Sequence, residues 1–292
     1  MALAIAGPSY MPMAAGTKPS REPAGLAADA PPYLGLVIPT LREAGNIGVL
    51  LGHVRAALEP MGVSYEILVV DDDSRDGTEQ AVARIAGQDP RVRLIVRRGE
   101  RGLAGAILDG WRRTEAPIVG VMDADLQHPP ELLPDLLAAI VAGHDLAIGS
   151  RYAGGERLAG WSSMRRAVSK AAVWATLPLQ GQRQAACDPM SGFFMVRRDC
   201  VENLAFQRSG FKLLLEILVR GRVRTVHEIP FCFGSRRAGS SKASLKVAWD
   251  YGRLLARLYL RRDGPWRHLS RRDVRRLKIR QEGADQQKCG NA

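Results

Sequence analysis

Short apolar runs alternate with amphipathic segments between residues 34 and 148, and this alternation restricts the possible folds more than any other feature. The apolar runs predict strands at residues 34–38, 66–70, 92–96, 118–122 and 145–148. Helices are predicted between them at residues 44–59, 77–86, 103–113 and 131–141. Strands and helices that alternate with short connections are typical of βαβ units. We therefore predict an α/β fold with a mostly parallel central sheet and flanking helices.

The pattern changes after Ser150. Helices are predicted at residues 163–177, 213–220 and 244–262, and strands at residues 192–196 and 224–229. The first 32 residues are rich in Ala, Pro and Gly, lack periodicity and predict a disordered segment. We therefore divide the chain into a disordered segment at 1–32, an α/β domain at 33–243, and an amphipathic basic helix with its tail at 244–292.

Two of the predicted strands end in acidic residues. Asp123-Ala124-Asp125 follows the run at 118–122, and Asp71-Asp72-Asp73 follows the run at 66–70. Because open α/β sheets bind ligands at the carboxyl ends of their strands, we expect both acidic ends to face one crevice. Carboxylate oxygens suit Mg²⁺ or Mn²⁺, which usually lie between one or two carboxylates and a diphosphate. A single D-x-D is equally typical of a turn, so the second acidic end strengthens the metal hypothesis.

The segment after the first strand contains neither a P-loop nor a dinucleotide-binding glycine motif. Pro39 cannot extend a ladder of hydrogen bonds, so we expect the chain to turn there. Glu43 precedes the first predicted helix, where the helix dipole by itself favours an acid. Residues 99–105 contain three glycines before a helix, a loosely spaced and weak indication of phosphate binding.

The basic excess of the chain lies in one segment. Of the 42 Lys and Arg residues, 15 fall in residues 236–280 against 3 Asp, which equals the whole net charge of +12. Such a block favours a polyanionic partner, either nucleic acid or an anionic membrane face. The last predicted helix is amphipathic, with a stripe formed by Lys246, Asp250, Arg253, Arg257 and Arg261.

The sequence also predicts a location for the protein. No apolar stretch reaches the roughly 18 residues needed to span a bilayer, and the first residues lack the pattern of a signal peptide. The four cysteines show no C-x-x-C spacing, which argues against a zinc site or a disulfide framework. We therefore expect a cytoplasmic protein, peripheral on the cytoplasmic face of the membrane.

Six motifs follow one another along residues 34–255: PTLREAGN, VVDDDSRDGT, MDADLQHPPE, GSRY, DPMSGFF and FGSRRAGSSK. In this order they resemble the polyprenyl-phosphate mannosyltransferases, whose best-known members are the dolichol-phosphate mannose synthases. The DADLQHPPE and GSSK stretches are the most specific to this group. The resemblance implies an inverting family 2 glycosyltransferase with the GT-A fold, and it makes residues 33–243 the catalytic domain.

The resemblance further implies roles for individual residues. Contact with the donor nucleotide sugar is expected from Pro39, Leu41, Glu43, Val70, Asp72, Asp123, Ala124, Asp125, Arg151, Arg236 and Lys242. A divalent cation, Mg²⁺ or Mn²⁺, is expected on Asp123, Asp125 and Gln127, and Arg165 is expected to hold the acceptor phosphate. The family usually has Tyr-Asn where this chain has Leu41-Arg42, which leaves the nucleotide preference open.

The implied reaction moves a hexose, mannose from GDP-mannose, to a polyprenyl or dolichyl phosphate with inversion. Because a phosphate monoester is ionised near neutral pH, no catalytic base is assigned, and Asp188 is either an acceptor-orienting residue or a turn residue. The expected partners are the nucleotide sugar, the polyprenyl phosphate, an anionic membrane surface and optionally a small membrane protein, with no nucleic acid. Two alternatives stay open: a UDP-sugar-dependent polyprenyl-phosphate glycosyltransferase, and a nucleic-acid-binding protein that uses the basic tail. A sugar nucleotidylyltransferase would need a glycine-rich loop after the first strand, and Pro39-Thr40 argues against it.

Overall fold

The structure is a computed structural model of the chain that describes residues 31–99, 101–153, 163–180, 186–206, 212–232 and 245–260. At residues 163–168 and 245–250 only the backbone is described. Residues 1–30 of the segment predicted to be disordered and the tail beyond residue 260 lie outside the described residues. The division of the chain into three parts therefore stays a prediction.

A seven-stranded sheet forms the centre of the described part of the chain. Its strands are β1 (Leu34–Thr40), β2 (Tyr65–Asp71), β3 (Val92–Val96), β4 (Ile118–Val121), β5 (Leu146–Ser150), β6 (Phe194–Arg197) and β7 (Val226–Pro230). They lie side by side in the order β3-β2-β1-β4-β6-β5-β7. Every neighbouring pair is parallel except the two that involve β6. The predicted mostly parallel sheet is confirmed.

The helices of the described residues also match the predicted segments. They are α1 (Ile47–Leu58), α2 (Thr78–Ala86), α3 (Leu103–Trp111), α4 (Leu133–Val141), α5 (Ser163–Trp174), α6 (Leu213–Arg220) and α7 (Leu245–Leu260). Helix α1 begins three residues later than predicted because residues 41–46 form a loop that is hydrogen-bonded to the loop after β2. In that loop the backbone N–H of Arg42 donates to Ser74 Oγ at 2.8 Å.

Strand β6 runs against both of its neighbours, a feature the sequence pattern did not predict. Phe194 at its start pairs with Val121 of β4 and with Ile148 of β5. The amino end of β6 therefore lies beside the carboxyl ends of β4 and β5. As a result, the loop that precedes Phe194 joins the same edge of the sheet as the acidic end of β4.

Strand β1 continues through Pro39, where a turn was predicted. Pro39 pairs with Val70 of β2, and the carbonyl of Thr40 accepts the N–H of Asp72 at 3.0 Å. On the other side, β4 pairs with β1 only as far as Val37. In a parallel sheet the N–H groups of alternate residues point to opposite neighbouring strands. The N–H that Pro39 lacks would point to the β4 side, beyond the end of the β1–β4 ladder, so no hydrogen bond of that ladder is lost.

Helices cover both faces of the sheet, which is why the strand sequences are continuous apolar runs. Side chains alternate between the faces: Leu36 and Ile38 of β1 pack with α1 and α4, whereas Val37 packs with α3 and α6. At about 25 cal/mol per Å² of apolar surface, this double burial is the main stabilisation of the fold. The edge that carries the acidic end of β4 is thus held by well-packed strands.

Helix α7 packs its apolar side on the main body of the protein. Leu254 and Leu258 are buried against Leu179 and Leu215. The Tyr259 hydroxyl donates to the carbonyl of Ala175 at 2.7 Å, which fixes the helix near the end of α5. The basic residues at 253 and 257 face solvent. None of the helices in the described ranges combines the length and the apolar character that crossing a bilayer requires.

Candidate active site

The acidic turn after β4 folds back on itself. The backbone N–H of Asp123 donates to Nδ1 of His128 at 3.2 Å, and Asp125 Oδ1 accepts the backbone N–H of Gln127 at 3.2 Å. Leu126, between the two acids and Gln127, has a left-handed φ of 60°. Two carboxylates and a side-chain amide, all oxygen donors, are therefore carried on one short turn, while Ala124 between the acids is buried.

Asp123 lies against the backbone of the loop before β6. A Cβ added to Gly192 would lie 2.7 Å from Oδ2 of Asp123, so no side chain fits there without moving the carboxylate. Partial burial raises the pKa of Asp123, whose side chain keeps 38% of its surface exposed, and the charge of Asp125 adds to this effect. A divalent cation bound by the two carboxylates would offset both contributions, which is consistent with the oxygen-rich donor set.

His128 supports this turn from inside the protein. Its ring is 3% exposed and stacks on Phe193 with ring centroids 5.1 Å apart. Burial lowers the pKa of His128, and Nδ1 accepts the Asp123 N–H as a neutral imidazole nitrogen does. His128 therefore supports the acidic turn through Nδ1 and through its ring.

Arg151 and Asp188 form a paired charge beside the acidic turn. Arg151 Nε and Nη2 each donate to a carboxylate oxygen of Asp188 at 2.7 Å, and the Arg151 backbone N–H donates to Asp188 at 3.1 Å. Asp188 is fully buried, and the Arg151 side chain is 14% exposed. Since both oxygens of Asp188 accept hydrogen bonds from the guanidinium, this carboxylate holds Arg151 in place.

Lys212, immediately before α6, adds a second, partly buried cation. Burial and the nearby charge of Arg151 lower the pKa of Lys212 to about 8, while Asp188 and Asp123 act in the opposite direction. The sequence analysis missed this residue because a lone Lys before a helix carries no pattern. Two cations and two carboxylates thus meet at the edge formed by β4, β5 and β6.

The acidic end of β2 has partners of its own. Asp71 is fully buried and accepts from Thr40 Oγ1 at 2.9 Å and from the Ser74 backbone N–H at 2.9 Å. Asp73 pairs with the exposed Arg75 at 2.6 Å. Since β1 lies between β2 and β4, these acids are separated from Asp123 by two strand spacings, roughly 10 Å. The carboxylates of this second end are thus engaged locally, away from Arg151 and Lys212.

Asp72 fastens the glycine loop before α3. Its Oδ1 lies 2.5 Å from Arg97 Nη1, and its Oδ2 accepts the N–H of Gly102 at 2.7 Å. Burial raises the pKa of Asp72, against the hydrogen bond from Gly102 and the charge of Arg97. Arg97 also pairs with Asp109 of α3 at 2.9 Å, so a buried three-residue charge cluster borders the expected nucleoside region.

The remaining residues expected to contact the donor lie at the ends of β1 and β2. Leu41 and Glu43 are partly exposed on the loop after β1. Glu43 accepts from the Asn46 side-chain amide at 2.8 Å, and its backbone N–H donates to Thr78 Oγ1 at 3.0 Å. The Val70 side chain packs in the core with α3, so any contact of this residue with a nucleotide would use its main chain.

Three of the expected site residues cannot be placed. Arg236 and Lys242 lie outside the described residues, and so does the side chain of Arg165, whose backbone belongs to α5. The GSSK motif likewise lies outside the described residues. Their roles remain predictions from the sequence.

A comparison with protein families decides the class of the chain. The family described as glycosyl transferase family 2 matches residues 36–205, which include the acidic turn, Arg151 and Asp188. The chain belongs to glycosyl transferase family 2. It is therefore a glycosyltransferase, as the six motifs predicted.

Relatives within this family are the dolichol-phosphate mannosyltransferases. The chain is 40% identical to the one from Pyrococcus furiosus over 77% of its own length, and it spans 63% of that protein. It is 38% identical to the one from Saccharomyces cerevisiae, with 77% of this chain and 86% of that protein covered. The predicted resemblance of this family 2 member to the polyprenyl-phosphate mannosyltransferases is confirmed.

Two solved structures of other proteins share the architecture. Glucosyl-3-phosphoglycerate synthase from Mycobacterium tuberculosis, in complex with Mn²⁺, UDP-glucose and phosphoglyceric acid, matches with a TM-score of 0.59 at 19% identity, over 78% of this chain and 79% of that chain. Mannosyl-3-phosphoglycerate synthase from Rubrobacter xylanophilus matches with a TM-score of 0.59 at 18% identity, over 89% and 78%. The GT-A fold predicted for this glycosyltransferase is confirmed.

Proposed function

We propose that this glycosyltransferase moves mannose from GDP-mannose to a polyprenyl or dolichyl phosphate with inversion at the sugar. The dolichol-phosphate mannosyltransferases at 35–40% identity support the acceptor and the sugar. The observation that carries the proposal is the meeting of the Asp123–Asp125 turn with Arg151 and Lys212 at one edge of the sheet. This arrangement suits a diphosphate bound between carboxylates and cations.

A divalent cation, Mg²⁺ or Mn²⁺, fits the turn after β4. Asp123, Asp125 and Gln127 would hold it through oxygen atoms, the ligands that both ions prefer. No group of three or more His, Cys, Asp or Glu side chains in the described residues could hold a metal by itself. Two carboxylates with a diphosphate are the usual setting for Mg²⁺ in nucleotide enzymes, so the donor completes the site. When bound, the ion supplies positive charge to the leaving diphosphate.

The transfer step breaks the bond between the sugar C1 and the diphosphate oxygen, and it forms a bond between C1 and an oxygen of the acceptor phosphate. The electron pair of the broken bond leaves with the nucleoside diphosphate. Arg151 and Lys212 would stabilise negative charge in this crevice, because fixed cations in a dry site act strongly on developing charge. The acceptor oxygen is already ionised near neutral pH, so no protein base is needed.

The nucleoside would lie across the ends of β1 and β2, near Pro39, Leu41, Glu43, Asp72 and the main chain of Val70. Leu41 replaces the aromatic residue that the family usually has at this position. GDP is proposed as the nucleotide because the relatives are mannosyltransferases, and a UDP-sugar is the alternative. Arg236 and Lys242 are proposed to contact the donor diphosphate, and Arg165 the acceptor phosphate.

We place the enzyme on the cytoplasmic face of an anionic membrane, where the lipid tail of its acceptor lies. The exposed Arg253 and Arg257 on α7 and the basic residues beyond residue 260 support this location. Helix α7 already packs its apolar side on Leu179 and Leu215, so the contact would be electrostatic. The same charges would suit nucleic acid, which is the alternative partner, whereas the acidic turn would repel it without a metal.

The test is a transfer assay with purified protein, Mn²⁺, undecaprenyl phosphate and separate GDP- and UDP-sugars, with thin-layer detection of the lipid product. We expect mannosyl-lipid from GDP-mannose and loss of product with excess EDTA. If lipid product forms with a UDP-sugar and not with GDP-mannose, the donor is the UDP-sugar. No lipid product from any donor, together with a salt-sensitive gel shift of RNA or DNA, would favour the nucleic-acid alternative.

A further inference from the structure

We propose that Glu228 is a positioning residue that fixes Arg151 in the crevice by holding the two loops that carry Arg151 and Asp188. Glu228 lies on β7 at the outer edge of the sheet and pairs with Ile148 of β5. No motif and no expected role pointed to this residue. The inference rests on the proposed function for its catalytic readout, but its geometric basis is independent of the substrate.

Glu228 binds the Asp188 loop through both carboxylate oxygens. Its Oε2 accepts the backbone N–H of Cys187 at 2.7 Å, and its Oε1 accepts the backbone N–H of Asp188 at 3.0 Å. The thiol of Cys187 also hydrogen-bonds to the carboxylate. Two successive main-chain N–H groups on one carboxylate determine the direction in which the Asp188 side chain leaves the backbone.

The same carboxylate also reaches the loop that carries Arg151. The Ser150 hydroxyl hydrogen-bonds to Glu228, and its oxygen accepts the backbone N–H of Ala153 at 2.9 Å. The turn from Ser150 to Ala153 is thereby tied to β7. Glu228 is consequently the common anchor of both members of the Arg151–Asp188 ion pair.

A neutral amide cannot replace this anchor. Both oxygens of Glu228 accept backbone N–H groups, so Glu228→Gln would place an N–H₂ donor against one of these N–H donors. A donor facing a donor away from water is destabilising and drives the loop to rearrange. Gln has nearly the same shape as Glu, so the substitution changes the hydrogen bonding and not the packing. Glu228→Gln should therefore release the Asp188 loop and, through it, the guanidinium of Arg151.

The first test reads the ion pair directly and does not depend on activity. In the full chain labelled with ¹⁵N-arginine, the Nε–H of Arg151 should give a slowly exchanging NMR signal, identified by its loss in Arg151→Lys. We expect Glu228→Gln to broaden or abolish this signal. A matched control is Glu66→Gln, a buried acid at the opposite end of β2, which should leave the signal unchanged. An unchanged signal in Glu228→Gln would overturn the inference.

The second test is a double-mutant cycle on transfer activity. Glu228→Gln should lower kcat/KM by about 10- to 100-fold, the range typical of residues that orient a functional side chain. In an Arg151→Lys background the same change should cost less than about twofold, because the two-point contact that Glu228 supports is already lost. An equal loss in both backgrounds would show that Glu228 acts only on general stability and would overturn the inference.

Should Glu228→Gln fail to fold, Ser150→Ala removes the link to the Arg151 turn alone. This substitution should weaken the NMR signal of Arg151, and its effect on kcat/KM should be less than additive with that of Arg151→Lys. A fully additive effect would contradict the proposal. Wild-type protein without transfer activity would count against the proposed function only. The NMR result would then still decide the positioning role of Glu228.

Discussion

Arg151 and Asp188 meet in a two-point ion pair in which Nε and Nη2 of the guanidinium each lie 2.7 Å from a carboxylate oxygen. Arg151 follows β5, whereas Asp188 lies in the loop before β6. Paired guanidinium–carboxylate contacts of this kind fix geometry as well as charge. The pair therefore sets the position of the main cation of the crevice.

Asp188→Asn should damage both stability and transfer. Removing one partner leaves the buried Arg151 charge without compensation, which costs about 3–5 kcal/mol in comparable buried pairs. We expect a lowered midpoint of thermal unfolding and a loss of kcat/KM of about 100-fold or more. Asp135→Asn, on the exposed side of α4, is the control and should change neither quantity. Full activity in Asp188→Asn would refute the holding role.

Asp125→Ala should abolish transfer and leave the fold intact, because Asp125 is partly exposed at the crevice and supports no core packing. The proposed metal would lose one of two carboxylates. Calorimetric titration with Mn²⁺ in the presence of GDP should show binding to the wild type and none to this variant. Asp73→Ala, an acid paired with exposed Arg75, should bind Mn²⁺ normally. Turnover near the wild-type rate in Asp125→Ala would disprove the metal assignment.

Gly192→Ala should weaken the proposed metal site, although Gly192 is not itself a ligand. The added methyl would lie 2.7 Å from Asp123 Oδ2, so the carboxylate must shift. We expect Mn²⁺ affinity and kcat/KM to fall at least tenfold. The control is Gly48→Ala in α1, where no atom lies within 4 Å of the new Cβ and helix propensity favours Ala by about 0.5–1 kcal/mol. That variant should be fully active and slightly more stable.

Lys212 should make stability depend on pH. Its pKa is lowered to about 8 from 10.5, so between these values the unfolded chain binds a proton that the folded protein has lost. Stability of the wild type relative to Lys212→Met should therefore rise with pH from about 8 to 10.5, by about 3 kcal/mol at most. Below pH 8 the difference should be constant, with Lys212→Met more stable but less active. Urea unfolding across this range measures it, and a flat difference would contradict the expectation.

Membrane binding should follow the charge on α7. Each basic residue near an anionic surface contributes about 1 kcal/mol, so Arg253→Glu with Arg257→Glu should weaken flotation with phosphatidylserine vesicles at least tenfold. Arg84→Glu with Arg112→Glu, two exposed residues on α2 and after α3, is the charge-matched control. Equal losses in both double variants would mean that net charge alone governs the contact.

Most of the fold could be predicted because its periodicity is local. The strand at 92–96 and the helix at 213–220 have the predicted bounds, since both are delimited by polar or glycine-containing turns. The direction of β6 could not be predicted, because an apolar run of four residues reads the same in either orientation. The extension of β1 through Pro39 depends on where β4 ends, which is tertiary information.

The site was predictable in its acids and less so in its cations. Asp123, Asp125 and Arg151 stand in recognisable motifs and lie at one edge, whereas Lys212 and Glu228 belong to no motif. Both Lys212 and Glu228 interact with Asp188, which lies 24 or more positions away in the chain, so no local sequence pattern could indicate their roles. Asp72 has its own partners, Arg97 and Gly102, which the sequence likewise did not reveal.

The reversed strand has a consequence for how this enzyme loses activity on heating. Asp188 and Gly192 lie in the loop that leads directly into β6, and β6 is held between β4 and β5 by ladders on both sides. Local melting of the crevice would require the central hydrogen bonds of the sheet to break. Inactivation and global denaturation should therefore coincide in a single cooperative transition.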